Sequence, residues 1–172
     1  DTYYFALDAL SLSPGVAETL GHDTIVEAAD VDDYDALDFA AFAPTSGGIT
    51  LDLSLTTGQV VKAGAPNVLT LTLSSGSGIE YVQGTSRSDS ITGNARANRL
   101  SGSAGNDTIE GGAGNDTLIG GPGDDRYVFD ADVALGSDQI VEIEEGGSDT
   151  VDFSATSAAV TATRTLFPSH VV

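Results

Sequence analysis

Gly102-Ser-Ala-Gly-Asn-Asp-Thr-Ile-Glu-Gly111-Gly-Ala-Gly-Asn-Asp-Thr-Leu-Ile-Gly120-Gly-Pro-Gly-Asp-Asp-Arg-Tyr-Val128 is the stretch that decides the fold. It divides into three blocks of nine residues, each with glycine at positions one and four, aspartate at six and an apolar residue at eight. Two weaker blocks precede it, Gly84-Thr-Ser-Arg-Ser-Asp-Ser-Ile-Thr92 and Gly93-Asn-Ala-Arg-Ala-Asn-Arg-Leu-Ser101. Across all five, position six reads Asp89, Asn98, Asp107, Asp116 and Asp125, and position eight reads Ile91, Leu100, Ile109, Leu118 and Tyr127. A strict period of this length marks a stacked repeat, in which each unit buries its apolar residue only against its neighbours.

The residue types prescribe the local structure. Early glycines permit tight turns and leave carbonyl groups bare, and the last residues of each block form a short strand with one side chain pointing inward. Two blocks then make one coil of about 18 residues, so turns of alternate blocks stack. Asp107 falls over Asp125, Asp89 under Asp107, and Asn98 under Asp116. One inward apolar residue per block is a thin core, and stacked carboxylates repel. A hard dication ringed by carbonyl and carboxylate oxygens removes that repulsion, and oxygen-only ligation suits Ca²⁺ better than Mg²⁺, which keeps its waters in a stricter octahedron.

On these blocks, residues 84–128 resemble the RTX (repeats-in-toxin, haemolysin-type calcium-binding) family. The resemblance implies an all-β fold, a right-handed parallel β-roll (a β-solenoid) with flanking capping strands, and calcium between turns two blocks apart. It implies a site of Ser103, Gly105 and Asp107 with Gly120, Pro122 and Asp125. A second would use Thr85, Arg87 and Asp89 with Gly102, Ala104 and Asp107, and a third Asn94, Arg96 and Asn98 with Gly111, Ala113 and Asp116. The turn of Gly112, Gly114 and Asp116 needs a later partner, for which Asp130 or Asp132 is the expectation. Arg87 and Arg96 stand where the family has glycine, and Asn98 where it has aspartate. Roughly two to four calcium ions are expected as cofactors.

Outside the blocks the chain divides into 1–83, an upstream β-rich segment, and 129–172, flanking strands that begin a second repeat unit. Period-two alternation at Ile49, Leu51, Leu53 and Leu55 and again at Val68, Leu69, Leu71 and Leu73 predicts strands, and Ile79-Glu-Tyr-Val82 extends the solenoid upstream of residue 84. The two ends repeat each other: Asp1-Thr-Tyr-Tyr-Phe5 parallels Asp125-Arg-Tyr-Val-Phe129, Gly21–Glu27 parallels Gly136–Glu142, and Asp38-Phe-Ala40 parallels Asp152-Phe-Ser154. The expectation is a window from a tandem array. Val16–Leu20 is too short for a helix, and Asp30–Leu37 reads as at most one helical turn.

Composition excludes several classes. The 172 residues carry 26 Asp+Glu against 6 Lys+Arg, a net charge of −20, which repels nucleic acid and anionic lipid. Zero cysteine excludes disulfides, thiolate catalysis and cysteine zinc sites. No apolar run reaches the ~20 residues of a membrane helix. The two histidines, His22 and His170, form no metalloprotease pair, and no nucleophile elbow or phosphate-cradling loop is present. Asp30, Asp32, Asp33 and Asp35 lack the glycine of an EF-hand loop and read as a solvated acidic loop.

No enzyme activity is expected. The favoured function is a calcium-binding structural or extender segment of a secreted, extracellular or cell-surface bacterial protein, exported by type I secretion machinery and folding on Ca²⁺ outside the cell. Two alternatives stay open: the C-terminal secretion and folding module of a hydrolase or toxin, and an adhesin module for surface glycans, for which the only aromatic candidates are Tyr3, Tyr4, Tyr34, Tyr81 and Tyr127.

Overall fold

The computed structural model describes residues 2–4, 21–25, 34–42, 47–62, 69–130, 135–143 and 146–157. Fourteen short strands occur there and no helix. They are β1 (Thr2–Tyr4), β2 (Gly21–Ile25), β3 (Ala36–Asp38), β4 (Thr50–Asp52), β5 (Gln59–Lys62), β6 (Leu69–Leu73) and β7 (Tyr81–Gln83), then β8 (Ser90–Thr92), β9 (Arg99–Ser101), β10 (Thr108–Glu110), β11 (Thr117–Ile119), β12 (Arg126–Val128), β13 (Gln139–Val141) and β14 (Thr150–Asp152).

From β7 onward successive strands alternate between two parallel sheets, ordered β1-β3-β7-β9-β11-β13 and β14-β12-β10-β8-β4. This is a parallel β-roll, as the nine-residue period requires. Ile91 pairs with Ile109 and Ile109 with Tyr127 in one sheet, while Val82 pairs with Leu100 and Leu100 with Leu118 in the other. Each step is 18 residues, so the position-eight side chains form two facing columns, all buried. That is why β strands of only three residues suffice: one inward side chain per strand is all the narrow interior accommodates.

The roll runs beyond the five blocks in both directions. Upstream, β3 pairs with β7 and β4 with β8, so Leu37 and Leu51 join the columns. Downstream, β13 pairs with β11 and β14 with β12, although the register steps widen to 22 and 24 residues (Leu118↔Ile140, Tyr127↔Val151).

The N-terminal end carries most of the apolar bulk. Phe39 and Phe42 meet edge to face with ring centroids 6.4 Å apart, and they share one continuous core with Leu53, Val61, Leu69, Leu71, Leu73, Ile79 and the two columns. Leu69–Leu73 alternates as the sequence predicts but lies in a separate three-stranded sheet, ordered β2-β6-β5, in which β5 and β6 are antiparallel. Leu55 departs from its expected place. The chain turns after β4, with Ser54 held on Asp52 (2.9 Å), and leaves Leu55 exposed. Ala36 and Leu37 enter a strand rather than a helical turn; Val16–Leu20, Asp30, Asp32, Asp33, Asp132 and Phe167–Val172 lie outside the described residues.

The end-to-end likeness is structural in part. β1 and β3 pair in parallel, Tyr3 opposite Leu37, as β12 and β14 do, Tyr127 opposite Val151. The turns that follow also match: Phe42 N–H donates to Phe39 O (2.8 Å), and Thr156 N–H to Phe153 O (3.0 Å). The middle correspondence does not carry over, because β2 lies in the three-stranded sheet and β13 in the roll.

Candidate metal centre

The turns at position six are tied together by a ladder. Asp89 N–H donates to Asp107 Oδ1 and Asp107 N–H to Asp125 Oδ1, each at 2.8 Å. On the other side of the roll, Asn98 N–H donates to Asp116 Oδ1 at 2.8 Å. Position five builds a second ladder in the opposite sense, with Asn106 N–H donating to Ser88 Oγ and Asp124 N–H to Asn106 Oδ1. Every aspartate thus spends one oxygen on the neighbouring turn.

The second oxygen separates the turns into two kinds. In the first kind it is satisfied within its own turn. Thr85 N–H donates to Asp89 Oδ2 (2.7 Å) and Thr85 Oγ1 adds a bond to each carboxylate oxygen, while Asn98, whose amide has a single oxygen, accepts the Asn94 N–H on it (2.8 Å). In the second kind, Oδ2 of Asp107, Asp116 and Asp125 is buried with no hydrogen-bond partner. These side chains are only 1%, 1% and 2% exposed. Buried, unpartnered carboxylate oxygens are costly, so three at corresponding places call for a cation.

Backbone conformation explains the difference. Position two has positive φ in the last three blocks, at Ser103 (84°), Gly112 (87°) and Gly121 (104°), and position four likewise at Gly105 (123°), Gly114 (133°) and Gly123 (143°). Thr85, Arg87, Asn94 and Arg96 have no such conformation, and the position-two N–H of these earlier turns meets its own carboxylate or amide. Where φ is positive that N–H makes no such bond, and the turn opens. Glycine at position one has a different reason: a Cβ on Gly102, Gly111 or Gly120 would collide with Oδ2 of Asp107, Asp116 or Asp125.

Electrostatics follow from this burial. Burial pushes the Asp107 carboxyl up to about 7, with Asp89 and Asp125 adding to the effect, and Asp116 up to about 6, with Asp138 adding. Asp125 and Asp138 are also raised, chiefly by burial. Where Arg96 replaces glycine, its guanidinium occupies the turn below. Nη1 lies 2.5 Å from Glu80 Oε1 and donates to Ser77 O at 3.0 Å, while Asn94 and Asn98 donate to Ile79 O at 2.8 and 3.2 Å. That turn already holds its own cation.

Three residues escaped the sequence reading. Glu80 stands at position six of a block that begins at Ser75, masked by having only Gly78 and Val82 in pattern. Asp138 and Asp149 take position six in the two widened coils, where Asp116 N–H donates to Asp138 Oδ1 (3.0 Å) and Asp125 N–H to Asp149 Oδ1 (3.1 Å). Asp138 is the residue that meets Asp116 from the later turn; of the two expected partners, Asp132 lies outside the described residues. Gly-Ser-Asp at 136–138 and Gly-Gly-Ser-Asp at 146–149 were the available signal, hidden by insertions that break the nine-residue phase.

A parallel roll whose turns bury unpartnered carboxylate oxygens in register calls for cations, and comparison with known families agrees. Residues 74–95 and 92–127 match the RTX calcium-binding nonapeptide repeat (4 copies). This stretch of the chain therefore belongs to the RTX calcium-binding repeats, and the match begins one block before the five read from the sequence. No curated protein matches the chain.

Proposed function

We propose that the chain is a calcium-dependent folding module, in which the open turns complete the roll only when Ca²⁺ fills them. The observation that carries this is the set of three buried Oδ2 atoms on Asp107, Asp116 and Asp125. Asp107 and Asp125, with the carbonyls of Ser103, Gly105, Gly120 and Pro122, would hold one ion. Asp116 and Asp138, with the carbonyls of Gly112 and Gly114, would hold another. Bound calcium supplies the positive charge that offsets these carboxylates, by mass action on the folded state.

We assign no ion to the turns of Asp89 and Asn98, because Thr85, Asn94 and Arg96 already serve their polar groups. Calcium dependence is then polarised along the roll. The N-terminal coils hold more of the apolar core and have closed turns, whereas the C-terminal coils wait for the ion. An extracellular setting supports such a switch: the acidic turns repel in calcium-poor cytosol and close outside. The paucity of positive charge, the lack of cysteine and the Gly/Asp richness agree with passage in unfolded form through a type I secretion channel. The module's role there is structural, as an extender segment without catalysis.

Circular dichroism and hydrogen exchange with CaCl₂ and with EDTA test the proposal. The expected result is loss of protection confined to β10–β14 on chelation. Unchanged β content and unchanged protection after EDTA would overturn it.

A further inference from the structure

Ser103 alone among the described residues combines a side chain with positive φ (84°). That conformation is disfavoured for an L-residue, because Cβ crowds the backbone. The two later open turns avoid the cost with Gly112 and Gly121 at the same position. The earlier turns show the alternative: Thr85 has no positive φ, and its N–H closes onto Asp89 Oδ2. Some other contact must therefore hold Ser103 out of the closed form.

A chain of side-chain hydrogen bonds supplies it. The Tyr81 hydroxyl donates to Gln83 Oε1 at 2.6 Å, which leaves the amide nitrogen of Gln83 facing the next coil. Nε2 donates to Ser103 Oγ, and more distantly (3.4 Å) to Oγ of Ser101, its register partner. Ser103 Oγ in turn donates to Gly84 O at 3.2 Å. The Gly84 peptide is itself fixed, its N–H on Ser101 O at 2.8 Å. The tether thus runs from β7 and the head of the closed Asp89 turn to the first open turn. Gly112 and Gly121 have no side chain to be held this way. What the tether aims is the Ser103 carbonyl, which lies against Gly121 in the next coil, so closely that a Cβ there would come within 2.0 Å of it.

We propose that Gln83, oriented by Tyr81, is a positioning residue that latches the Ser103 turn open, setting its carbonyl for the ion before the ion arrives. The proposal rests on the calcium reading above and concerns how that turn is prepared, not which groups ligate. Groups already held in the bound conformation need no ordering when the ion binds. The closed N-terminal coils therefore present the first open turn in its binding shape, and calcium uptake starts at this end of the open coils.

The test uses the whole chain and two readouts, calcium titration calorimetry and nuclear magnetic resonance of the Gln83 side-chain amide. Gln83→Ala is expected to weaken one calcium-binding step by about 10-fold while the number of bound ions stays the same. Ser103→Gly takes positive φ freely and needs no latch; added to Gln83→Ala, it is expected to restore the lost affinity. In EDTA the wild-type Gln83 amide protons are expected to resonate away from their random-coil position, and to return to it in Ser103→Ala. Wild-type calcium affinity in Gln83→Ala would overturn the latch. So would an equal loss from Gln83→Ala with and without Ser103→Gly, since Gln83 would then act through general stability, and so would a random-coil Gln83 amide in the wild-type chain in EDTA. A wild-type chain that binds no calcium would instead overturn the calcium reading itself, and the amide resonance would then decide whether Ser103 is held.

Discussion

Acidifying the calcium-free protein is expected to stabilise it, the reverse of ordinary acid denaturation. A carboxyl whose folded pKa is raised contributes stability that is complete below its unfolded pKa and is lost as pH rises through the folded value. Asp107 is raised from 3.8 to about 7 and Asp116 from 3.8 to about 6, so the window runs from roughly pH 4 to pH 7. Each pH unit between the two values is worth about 1.4 kcal/mol. Going from about pH 8 to pH 5, Asp107 contributes about 3 kcal/mol and Asp116 about 1 kcal/mol. Solvent screening at the turn surface roughly halves the sum, to about 2 kcal/mol. Asp125, Asp138, Glu142 and Glu110 are shifted in the same direction.

Urea denaturation in EDTA, followed by far-ultraviolet circular dichroism on a monomer verified by size exclusion, measures this directly. With a slope of about 2 kcal/mol per molar, the midpoint rises by about 1 M between pH 8 and pH 5. Asp107→Asn removes the larger contribution and flattens the dependence by more than half. In saturating calcium the slope reverses, because protons compete with the ion for the same oxygens. A calcium-free protein that loses stability from pH 8 to pH 5 would show that the buried carboxylates are not what opposes folding.

Three other outcomes follow from the same geometry. Arg96→Gly leaves Glu80 Oε1 buried without its cation and is expected to cost about 2–3 kcal/mol in EDTA, toward the low end for a broken buried pair because Arg96 keeps 27% exposure; calcium recovers part of it, measured as a new calcium dependence of the melting curve. Gly120→Ala forces a methyl onto Asp125 Oδ2 and is expected to cost about 1–3 kcal/mol with calcium present, read as a lower urea midpoint and a weaker calorimetric calcium signal. Ile109→Ala opens a cavity in the middle of one column, where Ile109 is fully buried, and is expected to cost about 3–4 kcal/mol in saturating calcium, read as a lower urea midpoint.

Residue types alone prescribe the roll and its axis of repetition. Nine residues with one apolar member admit a single inward side chain per strand, and the pairing of alternate blocks follows from two strands per coil; Ile91, Ile109 and Tyr127 stack as that arithmetic requires. Residue types also single out Asp107, Asp116 and Asp125, because turn carboxylates repeated in phase must come together. Tertiary structure alone decided which carboxylates are left open. Thr85 and Asn94 look like ordinary members of the pattern, and only the sign of φ at position two shows that their N–H groups close the turn. Arg96 reads as a lost glycine until it is seen reaching Glu80, a residue 16 positions earlier. Asp138 and Asp149 fell out of phase once the coils widened, because a period is legible only while loop lengths hold. The physical reason is common to all of these. Periodic burial is a local property that residue types encode directly, whereas the satisfaction of a buried oxygen depends on every group that folding brings within reach of it.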